Sequence, residues 1–160
     1  MTAPGRLLAI DWGSSALRGA LLDSSGAVLE ERTVARGMLT VAPGEFGAVF
    51  ESHFGDWIAV PGTRCLMAGM VGSKQGWVEA AYCRCPAGLD EVARALTAVA
   101  NAAGRDIAIV AGVSCEHDGV PDVLRGEEIA IFGALDLLGS ADATIVLPGT
   151  HNGCAWPAAG

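Results

Sequence analysis

The residues Leu7 to Asp23, LLAIDWGSSALRGALLD, constrain this chain more than any other stretch. The apolar run Leu7 to Ile10 reads as a buried strand. Asp11, Trp12, Gly13, Ser14 and Ser15 follow, and a second apolar run, Ala16 to Leu22, carries Arg18 on its polar side. Two strands joined by such a turn bring a carboxylate, a glycine, two hydroxyls and a guanidinium to one place, and a phosphate needs those groups. Gly13 lets the backbone approach an oxyanion closely. The Ser14 and Ser15 hydroxyls donate hydrogen bonds, and Arg18 can clamp phosphate oxygens bidentately. Bare phosphate would repel Asp11, so a bridging Mg²⁺ is the natural reason for a carboxylate here. An ordinary hairpin with a polar turn shows the same residue types, and short motifs produce many chance matches.

A chain of 160 residues supports one modest domain with a real core. No apolar run approaches the length of a membrane span. Met1 to Gly5 lacks the charged and apolar regions of a signal peptide, so a cytoplasmic protein is expected. Net charge is −8 with no Lys/Arg cluster, which argues against a nucleic-acid surface but not against a nucleotide held by a few local groups. The five cysteines, Cys65, Cys83, Cys85, Cys115 and Cys154, include no Cys-x-x-Cys. Cys83 and Cys85 share a face if they lie on a strand, but further ligands at metal-site spacing are missing. Free, mostly structural thiols are expected.

A turn at Ser24 to Gly26 leads to a third strand, Ala27 to Val34, which completes an antiparallel meander. Phe46, Val49, Phe50, His53 and Trp57 recur at helical spacing, so 45–57 reads as an amphipathic helix with His53 packed on its apolar face. A fourth strand follows at 63–68. In the loop 69–77, glycines surround Ser73, Lys74 and Gln75, and Trp77 closes the run. Lys74, the one lysine of the chain, suits either an anionic ligand or a solvated loop. A second helix is expected over 89–103, stopped by Gly104. A buried strand at 107–113 and a polar surface loop at 114–119 come next. The third helix is expected from Pro121-Asp122 to about Leu138. Arg125, Glu127 and Glu128 stand near its start, and its remainder is apolar nearly all round, as for a helix buried between layers. The acids suit site chemistry or the helix dipole. A last strand, 143–147, runs into Pro148-Gly-Thr-His-Asn-Gly153. That turn repeats the logic of the first, and two such turns on one sheet edge would hold the two ends of a polyphosphate.

The strand, Asp-x-Gly-Ser-Ser turn and Arg-bearing strand look like the first phosphate motif of the actin, sugar-kinase and Hsp70 superfamily. Four stretches together resemble the N-terminal part of the 2-dehydro-3-deoxygalactonokinase family. They are AIDWGSSALR at 9–18, MAGMVGSKQGW at 67–77, PDVLRGEEIAIFGAL at 121–135 and LPGTH at 147–151. The resemblance implies an α/β, ribonuclease-H-like domain with a mixed five-stranded sheet flanked by helices. It also implies ATP- and Mg²⁺-dependent phosphorylation of a sugar acid, 2-dehydro-3-deoxy-D-galactonate, in galactonate catabolism. On that reading Asp11 positions Mg²⁺, while Gly13, Ser14, Ser15, Arg18, Gly149, Thr150 and His151 handle the nucleotide phosphates. Glu127 is the expected general base, with Glu128 second. Arg36, Ser73, Lys74, Gln75, Trp77 and Arg125 are expected to hold the sugar acid.

The family pattern continues after Thr-His with Ser-Lys-Trp and a second domain carrying the adenosine motif. Here Thr150-His151 is followed by NGCAWPAAG. Residues 1–152 therefore read as the N-terminal kinase domain and 153–160 as an atypical tail, expected to arise from a shifted reading frame, with the second domain absent. A homodimer through surface left uncovered by that domain is expected. Two other functions stay open: a non-catalytic sugar-acid-binding fragment, and a phosphoanhydride phosphatase of the same superfamily.

Overall fold

The computed structural model describes residues 5–100, 104–139, 143–148 and 153–156. Strands β1 (Arg6–Trp12), β2 (Leu17–Leu22) and β3 (Val28–Val34) form the expected antiparallel meander. Helix α1 (Phe46–Ile58) crosses back, and β4 (Thr63–Ala68) returns parallel to β1. After β5 (Tyr82–Arg84), α2 (Leu89–Arg94) and β6 (Thr97–Ala98), β7 (Ile107–Ile109) lies parallel to β4. The chain continues through β8 (Gly112–His117), β9 (Val120–Leu124), α3 (Glu127–Leu138), β10 (Ile145–Leu147) and β11 (Gly153–Ala155). The main sheet is mixed, in the order β3-β2-β1-β4-β7-β6. It has six strands rather than the five expected, the sixth being the two-residue β6. Two smaller sheets, β5-β8-β9 and β10-β11, stand beside it.

Alternation along β1 decides which face does what. Leu8, Ile10 and Trp12 are fully or almost fully buried, whereas Asp11 between them is exposed. The buried set packs with Phe46, Phe50, Phe54 and Trp57 of α1 and with Cys65 and Met67 of β4. Gly19 on β2 makes room for this layer, because a Cβ there would lie 2.3 Å from the Phe54 ring. The opposite face, with Leu7, Ala9 and Asp11, faces a groove bordered by the first turns of α3.

Several expectations are corrected. The second helix ends at Arg94 rather than near 103: Thr97 and Ala98 pair with β7, and Val99 is buried in the main core. An Ala-rich run of alternating small and branched residues fits either period, and the open edge of β7 decides it. The buried run 107–113 is split, with β7 in the main sheet and β8 in the second. The polar stretch 114–119 is a hairpin, not a loop: β8 and β9 pair around Asp118 and Gly119. Pro121 and Asp122 lie on β9, an edge strand where a missing N–H is tolerated. Helix α3 therefore starts at Glu127, and burial between layers does not hold for it. Glu128 and Ile131 are buried, but Leu137 and Leu138 are 89% and 61% exposed. His53 is half-buried. The turn at 149–152 lies outside the described residues.

Candidate active site

Asp11 and Arg18 face each other across the β1–β2 ladder, and Nη1 of Arg18 lies 3.1 Å from Oδ2 of Asp11. Both side chains are more than half exposed. A surface pair of this kind contributes little stability; its effect is to hold a carboxylate and a guanidinium side by side at the groove. The turn between the strands is strapped from outside. Met38 N donates to Gly13 O at 2.9 Å, Leu39 N to Ser14 O at 3.3 Å, and Trp12 Nε1 to Arg36 O at 2.8 Å. The segment after β3 thus fixes the 13–15 turn through its carbonyls.

Two glycines bring α3 up to this turn. Gly69, at the end of β4, has φ +99, and a Cβ there would meet Trp12 O at 2.8 Å and Asp11 Oδ1 at 3.3 Å. Gly126 has φ +107, and its Cβ would meet Gly69 Cα at 2.9 Å. Side chains rarely adopt such φ values, and no room exists for them here. Stacked in this way, the two glycines let the first turn of α3 approach Asp11.

The residues at the helix mouth are locally locked. Arg125 N donates to Glu127 Oε2 at 2.9 Å, and Gly126 N donates to Glu128 Oε2 at 2.6 Å. The Arg125 guanidinium is buried. Its Nε donates to Tyr82 Oη at 3.0 Å and its Nη2 to Ala80 O at 2.8 Å, and its carbon lies 4.0 Å from the Tyr82 ring centroid. Arg125 Nη1 and Glu128 Oε1 are both buried without a protein partner. Burial pushes the Glu128 carboxyl up to about 7, opposed by the Gly126 N–H and by Arg125.

These elements border one groove of about 1230 Å³. Asp11, Gly13, Ser14, Ser15 and Arg18 line one side, and Arg125 and Glu127 line another. Leu147 and Pro148 line it as well, so the end of β10 borders the same groove. Gly149, Thr150 and His151 lie outside the described residues. Glu128 sits behind the groove rather than in it. Arg36, Lys74 and Gln75 are exposed and do not line this groove. Ser73 Oγ lies 3.8 Å from Met38 Sδ, which ties the 73–75 loop to the strap on the opening turn. Trp77 packs in the core, with ring centroids 6.4 Å from Trp12 and 5.8 Å from Phe50. Three residues that hold the site together escaped the sequence reading: Gly69, Gly126 and Tyr82. The glycines carried a signal, since each stands between a strand and charged or glycine-rich residues; Tyr82 carried none.

The groups at the groove suit magnesium bound through phosphates. Asp11 is the carboxylate beside the turn of hydroxyls, Glu31 and Glu127 line the groove as well, and the described residues contain no cluster of three metal-ligating side chains. Mg²⁺ usually keeps several waters and takes one or two carboxylates plus substrate phosphates, and Asp11 would be the carboxylate here.

Known proteins of one family resemble this chain. The model of the 2-keto-3-deoxy-galactonokinase family matches residues 11–160. A Rhizobium meliloti (strain 1021) protein described as a 2-dehydro-3-deoxygalactonokinase is 39% identical over 152 residues, 95% of this chain and 49% of that protein. The 2-dehydro-3-deoxygalactonokinase of Escherichia coli (strain K12) is 39% identical over 156 residues, 98% of this chain and 49% of the relative. The crystal structure of a Sinorhizobium meliloti protein described in the same way superposes with a TM-score of 0.81 at 38% identity, covering 91% of this chain and 47% of that one. The relatives are named as sugar-acid kinases. The chain belongs to the 2-keto-3-deoxy-galactonokinase family, and it spans about half the length of the curated relatives it matches.

Proposed function

We propose that this chain forms the phosphate- and sugar-acid-binding part of a cytoplasmic kinase. The reaction is ATP- and Mg²⁺-dependent phosphorylation of 2-dehydro-3-deoxy-D-galactonate at its terminal hydroxyl, giving the 6-phosphate in galactonate catabolism. The observation that carries this reading is the convergence of Asp11, the 13–15 turn, Arg18 and Glu127 on one groove. The strand order β3-β2-β1-β4-β7, with β2 antiparallel to both neighbours, supports a ribonuclease-H-like domain over residues 1–152. The tail from Gly153 begins as β11, paired with β10.

Phosphoryl transfer is mostly positioning and charge neutralisation. Gly13, Ser14 and Ser15 present a turn to phosphate oxygens, with Gly149, Thr150 and His151 assigned to the other end of the polyphosphate. Arg18 exchanges its contact with Asp11 for phosphate, which frees Asp11 for magnesium or its waters. Magnesium, when bound, supplies neutralisation of the charge that develops on the transferred group. Glu127, its direction fixed by the Arg125 N–H, takes the proton of the sugar hydroxyl. Glu128, buried beneath it, holds the Gly126 turn in place. Arg36, Ser73, Lys74 and Gln75, which stand outside the groove, are assigned to the sugar-acid carboxylate and hydroxyls. Trp77 backs that loop from the core, and Arg125 anchors the helix mouth to Tyr82.

The half-length match supports a second reading, in which this stretch binds the sugar acid without turnover of its own. Exposure of Leu137, Leu138, Val146 and Trp156 supports association of two copies. Calorimetry with the sugar acid and with MgATP, beside a coupled assay for ADP, tests the proposal. Saturable binding is expected, with turnover far below the roughly 1–100 s⁻¹ of ordinary kinases. Absence of binding by both ligands overturns the kinase assignment. Turnover at an ordinary rate, lost in Glu127→Gln, overturns the binding-only reading.

A further inference from the structure

Three of the five cysteines meet on the sheet β5-β8-β9. The register pairs Cys83 with Val113 and Arg84 with Ser114. Cys85 N then donates to Ser114 O at 2.7 Å, which continues the ladder and sets Cys85 opposite Cys115. Paired residues of neighbouring strands point to the same face, and Cys83, two positions earlier, shares it. Cys85 and Cys115 are exposed, whereas Cys65 is buried in the core. Adjacent strands lie about 4.7–4.9 Å apart, within the Cα separation of about 4.4–6.8 Å that a disulfide spans. Cys85 follows the last residue of β5, and its backbone stays tied to β8 by that hydrogen bond. Partial burial raises the Cys85 thiol, and the nearby Cys115 and Cys83 sulfurs raise it further, which marks the three as electrostatic neighbours.

We propose that Cys85 and Cys115 form a reversible dithiol–disulfide pair, a redox modification site on the sheet that supports the groove. The oxidant is a small disulfide of the glutathione class. One cysteine thiolate attacks glutathione disulfide, releasing one glutathione thiolate and leaving a mixed disulfide on the protein. The second cysteine thiolate displaces the second glutathione. Two protein thiols lose their protons, and the two electrons reside on two glutathione thiolates. The cross-link ties β5 to β8. Strand β5 carries Tyr82, the hydrogen-bond partner of Arg125, and β9, hairpinned to β8, runs directly into Arg125. Oxidation therefore braces the frame behind the helix mouth. Exposed disulfides of this kind are the readily reduced ones.

Peptide mapping tests the pair. Trypsin cleaves after Arg84, so Cys83 and Cys85 fall on different peptides. The purified chain is treated with glutathione disulfide, alkylated with N-ethylmaleimide and digested without reduction. The expected product joins the peptide from Cys85 to Arg94 to the peptide from Asp106 to Arg125, and it disappears with dithiothreitol. Cys115→Ser should instead carry glutathione on Cys85. A join of Cys83 to Cys115, a link between chains on a non-reducing gel, or recovery of Cys85 and Cys115 as alkylated thiols or separate glutathione adducts would overturn the proposal.

Discussion

At the scale of the residue, the site depends on groups that are costly where they stand. Glu128 is almost wholly buried with one oxygen unpartnered. Its folded-state carboxyl titrates near 7, above the ordinary value of 4.5. Between those two values the folded chain keeps a proton that the unfolded chain has released. Stability from this group is thus greatest below about pH 4.5, declines as pH rises to about 7, and is level above it. Glu128→Gln keeps an oxygen for the Gly126 N–H and removes the titration. We expect the variant to lose that slope and to exceed the parent by about 1–3 kcal/mol above pH 7 in chemical denaturation. A variant whose stability tracks the parent at every pH between 5 and 8 would contradict this. Gly126 poses the converse case. Alanine there must take φ +107 and press its Cβ to 2.9 Å from Gly69 Cα. Gly126→Ala should cost about 1–3 kcal/mol by thermal melting and should weaken binding at the groove. Unchanged melting would mean that the two glycines are not in contact.

At the scale of the element, the sequence was readable where one face of an element meets the core and the other does not. The alternation through β1 and β2, and the spacing of Phe46, Val49, Phe50, His53 and Trp57 in α1, led to elements within a residue or two of those observed. Phe54 is fully buried, and Phe54→Ala should cost about 3–5 kcal/mol, read as a lowered denaturation midpoint. The region 89–124 was misread because its order is set from outside. Val99 enters the core through pairing with β7, and Pro121 sits in β9 because that strand is an edge. Neither pairing leaves a local periodicity. The candidate site divided in the same way. Asp11, Gly13, Ser14, Ser15 and Arg18 are adjacent in sequence and in space, so the turn was legible. Convergence of Glu127 on that turn depends on the Gly69–Gly126 contact, a tertiary fact with no spacing of its own.

At the scale of the whole molecule, α3 leaves apolar surface bare. Leu137 and Leu138 near its end, Val146 on β10 and Trp156 after β11 are all mostly exposed. Exposed apolar side chains favour association where they adjoin, and the net charge of −8 opposes aggregation without covering them. Light scattering should show concentration-dependent dimerisation that Leu137→Glu reduces. A monomer at high concentration that binds no hydrophobic dye would show that this surface needs no cover. In the proposed site one groove places phosphate at the 13–15 turn and the sugar hydroxyl at Glu127. Amide chemical-shift mapping on the labelled chain tests it most directly. MgATP should move the amides of Gly13, Ser14 and Ser15, and 2-dehydro-3-deoxy-D-galactonate should move those of Ser73 to Gln75 and Glu127. Saturable shifts confined to other surfaces, or no shifts at these residues with either ligand, would contradict the account.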